Sequence, residues 1–559
     1  MTVTTEEKPD ASESTGLLDS NDDTNKDNND DQHEEHHHHR HPTHHRDLSA
    51  VVPLYSRPVQ LQRWGETQLL PHVNWGDLFF DLFIVAAAYN LDAIMEHEPS
   101  YLGLLGFVCC LLPICLLWSL KLAYDARFSS DDNLYHRGQE IVFFAISATI
   151  IQHIQPVNIM TDTAGHHDMT LFAGSLTASA VFGLVQSGEI KEHAEGGEEA
   201  KHQAQSDKHL YFIAFSLYLA ATIIAAHDYA FVTATPGYQN LLPLILCGLV
   251  YPVMHAYSAI LSLFIIPNHE KEFTELRVPL NLEYTLHRLA EFVMLMLGES
   301  ILSLLIAPQS KGWPYYVTFY CGIVTVTVSV AEMKFVFGLI DKAPSDLVSC
   351  PQPFLISRLS DFNSSFLLFS QMLQYLYFRS QPFNIADHAL RRSSVGGMLY
   401  SEFLTIFAGC LIVFGGSFKL TLDQYILEET MSPETVVGLY TIEERRHRIA
   451  NLACWSLTIA IMALNVMVFL HRGFADNFRR FIGPNGCLAP APTLIITIDM
   501  GLIIVTGLLS QWTQNLELLS CLILLITLCH VLLRTFGLKY FPVSKAAMDL
   551  ALGRTPSVP

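Results

Sequence analysis

The chain is short of charge. Only 16% of its 559 residues are Asp, Glu, Lys or Arg, where a soluble domain carries about 25%, and 50% are hydrophobic. Basic residues are scarcest: 33 Lys and Arg stand against 54 Asp and Glu. No basic surface is therefore available to a phosphate backbone, which excludes nucleic acid as a partner. The 11 cysteines form no C-x-x-C pair and mostly lie inside apolar runs. That excludes a zinc ribbon and a disulfide framework and leaves buried structural thiols. Neither H-E-x-x-H nor G-x-S-x-G in an α/β setting is found, so no metal or nucleophile motif supports hydrolysis. The first 70 residues contain no apolar stretch of signal-peptide type, which leaves targeting to the first transmembrane helix. No clear internal repeat of the kind many secondary transporters show is visible.

What remains is a membrane composition behind a polar tail. Residues 1 to 50 hold 13 acids against 4 bases and are rich in Asn, Ser and His; this low-complexity stretch is expected to be disordered. Eight of the 25 histidines fall between His33 and His45. His36, His37, His38 and His39 are surface candidates for zinc, copper or nickel, or for pH sensing, against the plainer reading of a solvated tail. Glu13, Leu17 and Leu18 fit the E-x-x-x-L-L pattern, which resembles the acidic dileucine sorting signals of eukaryotic endosomal and vacuolar proteins.

Apolar spans follow near 75–95, 101–123, 140–160, 168–189, 209–231, 241–266, 287–307, 314–340, 362–378, 398–418, 449–470, 491–511 and 516–536. Each approaches the roughly 20 residues that cross a bilayer. The expected fold is an all-α, polytopic transmembrane helix bundle of about 12 spans, with 362–378 re-entrant. Four regions are expected: the tail (1–70), a membrane core (71–340), a second membrane helical region (341–540) and a short C-terminal tail (541–559). Positive loops carrying Lys121, Arg127 and Arg137, then Lys191, Lys201 and Lys208, then Lys271 and Arg277, alternate with 96–100, 161–167 and 232–240, which contain no Lys or Arg. Such alternation places the N-terminus and the positive loops in the cytosol. The 419–448 segment, with Arg445, Arg446 and Arg448, sits badly with that pattern on the outside.

Three apolar stretches hold more polar groups than lipid tolerates. In WGDLFFDLFIVAAAYNLDAIM (75–95), Asp77 and Asp81 are one helical turn apart on one face, with Asn90 and Asp92 further on. A carboxylate in lipid costs roughly 3 kcal/mol on translocon scales, so the pair should face other helices, water or an ion, although Asp77 alone could be an interfacial cap. In 116–137, Lys121 and Asp125 are spaced i, i+4, followed by Arg127, Asp131, Asp132, His136 and Arg137; a salt-bridged interfacial turn would also account for them. In 287–307, His287 and Glu291 are one turn apart, and Glu299 falls mid-membrane beside Gly298, where a helix could approach closely. An intramembrane Glu is a functional candidate by default.

These stretches together resemble a known family. WGDLFFDL is similar to the ELFFDL signature of the low temperature requirement A membrane proteins, with Asp77 where the family has Glu and Asp81 in place. Trp118, Arg127, Phe128, Asp131, Asp132, His136 and Arg137 resemble its W-x(6)-RF-x-x-DD-x(3)-HR block, with eight residues between Trp118 and Arg127. His287, Arg288, Phe292, Leu297, Gly298, Glu299 and Ser300 resemble its ER-x-x-x-F-x-x-x-LGES block, with His287 replacing Glu and four residues between Phe292 and Leu297. The resemblance covers residues 70 to 340 and brings no established substrate or mechanism. It does favour reading 116–137 as part of a site or gate.

The leading expectation is movement of a small ion or solute, coupled to protons, along a path of Asp77, Asp81, Glu291 and Glu299. Arg127, Asp131, Asp132, His136, Arg137 and Arg288 would be gate or counter-ion residues. The alternatives are an intramembrane acid/base enzyme acting on a lipid or isoprenoid, with Asp81 and Glu299 facing each other, or a non-catalytic scaffold or sensor. No cofactor is implied. The partners are the lipid bilayer and an ion or solute, and the location is an endosomal, vacuolar or plasma membrane of a eukaryote.

Overall fold

Helix α1 (Trp75–His97) shows how this sequence sorts its faces. Phe80, Ile84, Ala87, Ala88, Leu91, Ile94 and Met95 are all buried, a 3–4 spacing that makes one stripe of a helix. Asp77, Asp81 and Asp92 lie on that stripe and are buried with it. Leu78, Phe79, Leu82 and Tyr89, on the other side, are exposed. Polar groups point inward and apolar ones outward, as in a helix whose outer surface meets lipid.

The computed structural model describes residues 53–61, 75–129, 133–156, 167–193, 197–230, 240–260, 278–307, 312–326, 394–431, 436–437, 440–472 and 490–540, with scattered positions between 373 and 392. After α1 come α2 (Tyr101–Asp125), α3 (Leu134–Gln152), α4 (Asp168–His193), α5 (Gly197–Ala230), α6 (Leu241–Ile260), α7 (Leu282–Leu305) and α8 (Trp313–Val326). A short α9 (Ala389–Arg392) precedes α10 (Ser394–Thr430), α11 (Ile442–Arg472), α12 (Pro490–Trp512) and α13 (Leu516–Tyr540). Two antiparallel two-residue ladders pair β1 (Val59–Gln60) with β2 (Phe128–Ser129), and β3 (Val436–Val437) with β4 (Tyr440–Thr441). The fold is all-helical, as expected, and nine of the thirteen described helices are long and apolar enough to cross a membrane. The sorting motif, His36–His39, Asp131, Asp132 and nearly all of 362–378 lie outside the described residues.

Helix direction follows from which residues meet. Helices α1 and α2 are antiparallel, since Asp77 meets Lys121 and Asp81 meets Trp118. Helix α3 runs parallel to α1: Glu140 lies against Gly76, and the Asn90 side chain donates to Ile151 O. His136–Glu189 and His153–Asp168 turn α4 back against α3, and Thr177–Thr222 with Lys191–Gln205 turn α5 back against α4. Helix α7 is parallel to α1 through Asp77–Tyr284, Asp81–Arg288 and Asp92–Ser303. A seventh helix parallel to the first is what results when each of the six before it crosses. This includes α3, whose first turns (His136, Arg137, Gln139, Glu140) keep it out of the nine by composition. Introducing Gly138→Cys and Gln155→Cys, in turn, into a background stripped of reactive thiols tests this. A membrane-impermeant maleimide should label the two from opposite sides of sealed vesicles, and labelling from one side would mean that α3 does not cross.

The same reading continues to the end of the described chain. Glu96–Lys419 and the contact of Asp92 with Gly416 run α10 parallel to α1. Thr318–Tyr425 sets α8 against α10, Gln424–Ile442 and Tyr400–His471 set α11 against it, and Asn451–Ser510 with Asn465–Asp499 return α12. His530–Asp499 returns α13. All helices but α9 thus alternate, and α13 ends on the face where α1 begins. We call this the near face and the opposite one the far face.

One expectation is corrected by this arrangement. The awkward 419–448 segment is not a loop: α10 continues to Thr430 and α11 starts at Ile442. Arg446 is paired with Glu428 at 2.5 Å, and Arg448 with Glu444 at 2.9 Å. The far-face arginines are therefore neutralised at helix ends.

Helix α10 is the centre of the bundle, with 78% of its apolar stretch buried, more than any other span. It packs on α1, α7, α8 and α11, so helices from beyond the family-like core complete that core. The expected boundary near 340 itself lies outside the described residues. At the near face, residues 53–61 strap over the helix ends. Leu61 N donates to Arg127 O at 2.9 Å, β1 pairs with β2, and Asn133 Nδ2 donates to Ser56 Oγ at 2.6 Å. Tyr55 stacks on His136 with ring centroids 5.8 Å apart. Its hydroxyl is pushed up from its ordinary range by burial and then by the Glu189 carboxylate.

Candidate functional site

Two polar clusters sit at different depths between α1 and α7. Helix α7 begins where the Asn281 side chain accepts from Tyr284 N at 3.1 Å, a conventional N-cap. Its buried stripe then carries Arg288, Phe292, Met296, Glu299, Ser300 and Ser303.

The near cluster is built of satisfied pairs. Arg288 donates to both oxygens of Asp81, at 2.7 and 2.8 Å, the planar fork geometry that makes arginine–carboxylate contacts strong. The Trp118 indole N–H adds a long contact to Asp81 at 3.4 Å, and Arg288 Nη1 also reaches Glu291 at 2.8 Å. Asp77 is no mere cap, because it accepts the Tyr284 hydroxyl at 2.9 Å and stays buried. Lys121 is 2.7 Å from Asp125 and 3.8 Å from Asp77. His287 is 51% exposed and pairs with Glu291 at 3.1 Å, on the rim rather than inside. The i, i+4 spacings read from sequence are thus real contacts, but the cation that settles each buried acid comes from another helix.

The far cluster is different. Ser303 Oγ lies 3.0 Å from Asp92 Oδ2 and 3.2 Å from Glu299 Oε1. A hydroxyl has one proton, so it can donate to only one of them at a time. Among the described residues the remaining oxygens, Asp92 Oδ1 and Glu299 Oε2, are buried and have no hydrogen-bond partner, and both residues are 1% exposed. Asp423 Oδ1 is likewise buried and unpartnered. Lys419 pairs with Glu96 and sits 5.8 Å from the Tyr89 ring. Arg445 is the other positive charge acting on Asp423 and Glu96. Four acids share two cations. No group of three or more His, Cys, Asp or Glu among the described residues is arranged to hold a metal ion.

Between the clusters lies an apolar layer that includes Ile84, Ala87 and Ala88 of α1 and Phe292, Val293 and Met296 of α7, all buried. Asp81 and Glu299 therefore do not line one open path, nor do they face each other. Each is tied within its own cluster, about 16 Å apart along the helices. Of the gate residues, Arg288 is inside the near cluster. His136 is buried at the near face, 3.0 Å from Glu189, and Arg137 is exposed beside it. Arg127 is half-buried just past the end of α2.

Sequence reasoning left Ser303, Glu96, Lys419 and Asp423 unassigned and counted Asp92 only in passing. One signal was available: Asp92 follows Asp81 by the same three turns by which Glu299 follows Arg288. Gly298 is also corrected. A Cβ there would meet nothing within 4 Å, whereas one on Gly415 would lie 2.6 Å from Ser300 Cα, and one on Gly416 would overlap Asp92 Oδ1.

Residues 72–333 match the family described as bacterial low temperature requirement A protein, LtrA. The match covers a little under half of the chain, which is similar to the LtrA family over that span. No curated protein and no solved structure matches it. The LtrA span holds α1 to α8, and with them Asp92, Glu96, Glu299 and Ser303. Lys419, Asp423 and Arg445 come from α10 and α11, outside the LtrA match. The far cluster thus joins an acid pair inside the matched span to counter-ions supplied from beyond it.

Proposed function

We propose that this multi-pass membrane protein moves protons, or a small cation in exchange for them, and that Asp92 and Glu299 are its binding groups. One observation carries this reading: two buried carboxylates share a single hydroxyl, and each has an oxygen with no protein partner. Two bare negative charges so close in a low-dielectric interior are mutually destabilising, so the pair takes up a proton or a cation. Lys419, tethered to Glu96 beside them, is an internal competitor for the same charge. The near cluster has a different role. What sets it apart is pairing: Asp81 and Glu291 are held by Arg288, Asp125 by Lys121 and Asp77 by the Tyr284 hydroxyl, so it fixes α1, α2 and α7 together and closes the near end. Excess Lys and Arg on near-face loops support a cytosolic near face. An acid/base enzyme would need Asp81 and Glu299 on either side of one substrate, and Asp81 is engaged by Arg288 three turns from Glu299.

The test is proton flux into proteoliposomes loaded with a pH dye, under an imposed pH gradient and with a panel of monovalent cations. Asp92→Asn and Glu299→Gln should each reduce flux by roughly tenfold or more, because an amide neither binds nor releases a proton at these pH values. Wild-type rates in both variants, eluting as monodisperse protein, would sink the proposal.

A further inference from the structure

Arg127 is a basic side chain of the near face that the pairings above do not use. Its backbone is held on both sides, by Arg127 N to Tyr124 O at 3.0 Å and by Leu61 N to Arg127 O at 2.9 Å. The guanidinium is another matter. It is half-buried, its Nε is shielded from solvent without a hydrogen-bond partner, and it forms no ion pair among the described residues. Lys121, on α2 itself, and Arg288, on the neighbouring α7, are engaged by Asp125 and by Asp81 and Glu291. A guanidinium N–H withdrawn from water without a partner is costly, and a bound anion removes that cost.

Two cavities meet at this side chain. The first, about 30 Å³, is lined by Tyr124, Gln186 and Tyr211 as well as Arg127, so phenol and amide donors converge with the guanidinium; Ser187, also in its wall, donates to Gly183 O at 2.9 Å. Its one acid, Asp207, already accepts from Gln203 Nε2 at 2.8 Å. The second, about 150 Å³, is walled mainly by apolar groups, among them Cys115, Trp118, Leu289, Phe292 and Leu404. An apolar cavity of roughly this size accepts a benzene ring. Donors on one side of a cation and an apolar chamber on the other make a site with two halves.

We infer that Arg127 anchors a site for a small organic anion, with a carboxylate or phosphate in the donor cavity and an apolar body of about one ring in the chamber. The planar fork of arginine suits either head group. The occupant would lie against Trp118, whose indole touches Asp81, so binding there reports to the near cluster. The inference does not depend on the proton reading. The same chemistry could come from a soluble anion or from the head and first carbons of an anionic lipid.

Tryptophan quenching by para-bromobenzoate, on the full chain in nanodiscs of neutral lipid, tests it, because bromine in the chamber contacts Trp118. Quenching should saturate and be competed by benzoate. Arg127→Gln should weaken it by at least roughly tenfold and Arg127→Lys by less, while Trp118→Phe should remove the saturable signal. Neutral para-bromobenzamide should quench weakly. An anionic phospholipid retained by wild type in native mass spectrometry, but not by Arg127→Gln, would assign the site to a lipid head. Bromobenzoate binding with no retained lipid would assign it to a soluble anion. Equal binding by monodisperse wild type and Arg127→Gln, or equal quenching by the acid and the amide, would overturn the site.

Discussion

Replacing Arg288 by Met is expected to destabilise the protein by about 3–5 kcal/mol, the cost of leaving a buried carboxylate without its cation. Asp81 is 4% exposed, and apart from Arg288 its described partner is the long Trp118 contact at 3.4 Å. Asp81→Asn should cost less, about 1–3 kcal/mol, because Arg288 keeps Glu291 at 2.8 Å. The asymmetry is the test. Adding Asp81→Asn to Arg288→Met should recover part of the loss, since no bare charge then remains. Thermal unfolding of the purified variants in one detergent, followed by fluorescence and by retention of monodisperse protein, gives the three values. An Arg288→Met protein that melts with wild type would mean that the pair contributes nothing to holding α1 on α7.

Helix α10 carries the second large effect. Gly415→Ala places a methyl group 2.6 Å from Ser300 Cα on α7. Backbone lies on both sides, so one helix must move, and overpacking of this kind costs about 1–3 kcal/mol. Gly416→Val should do more, because the space it needs is held by the Asp92 carboxylate; both stability and flux should fall. Gly298→Ala is the control. Its Cβ meets nothing within 4 Å, and alanine is the better helix former by roughly 1 kcal/mol, so that variant should melt at or slightly above wild type. A Gly298→Ala loss as large as that of Gly415→Ala would put the close approach on the wrong helix.

These contrasts also mark what was legible in the sequence. The helical fold, the alternation of near-face charge and the buried stripe of α1 follow from composition and spacing, which are local. The contacts Asp77–Lys121 and Asp81–Arg288 are not local. Nothing in WGDLFFDL says that its second acid meets an arginine 207 positions away, so the near acids read as an open path when they are closed pairs. Glu299 was legible as an oddity but not as half of a pair, because Asp92 looks like an ordinary polar residue near a helix end. Gly298 drew attention by standing next to Glu299, yet close packing is decided by the partner surface, and that lies at Gly415 and Gly416. The 419–448 segment misled for a related reason: charges at two helix ends look like a basic loop until Glu428 is seen beside Arg446.

The parallel pairing of α1 and α7 has a mechanical consequence. The two rungs, Asp81–Arg288 and Asp92–Ser303, lie about three turns apart along α1 and about four along α7, each close to a whole number of turns, so both stay on the seam. Sliding one helix along the other by even one residue would break both rungs together, and rotating either would swing its acids out of the seam. Helices α1 and α7 therefore behave as a single rail. In the proton or cation exchange proposed above, the motion that opens the Asp92–Glu299 pair to either side of the membrane then falls to the element laid along that rail: α10, whose glycines bear on it and whose Lys419 would leave or rejoin the pair with each stroke.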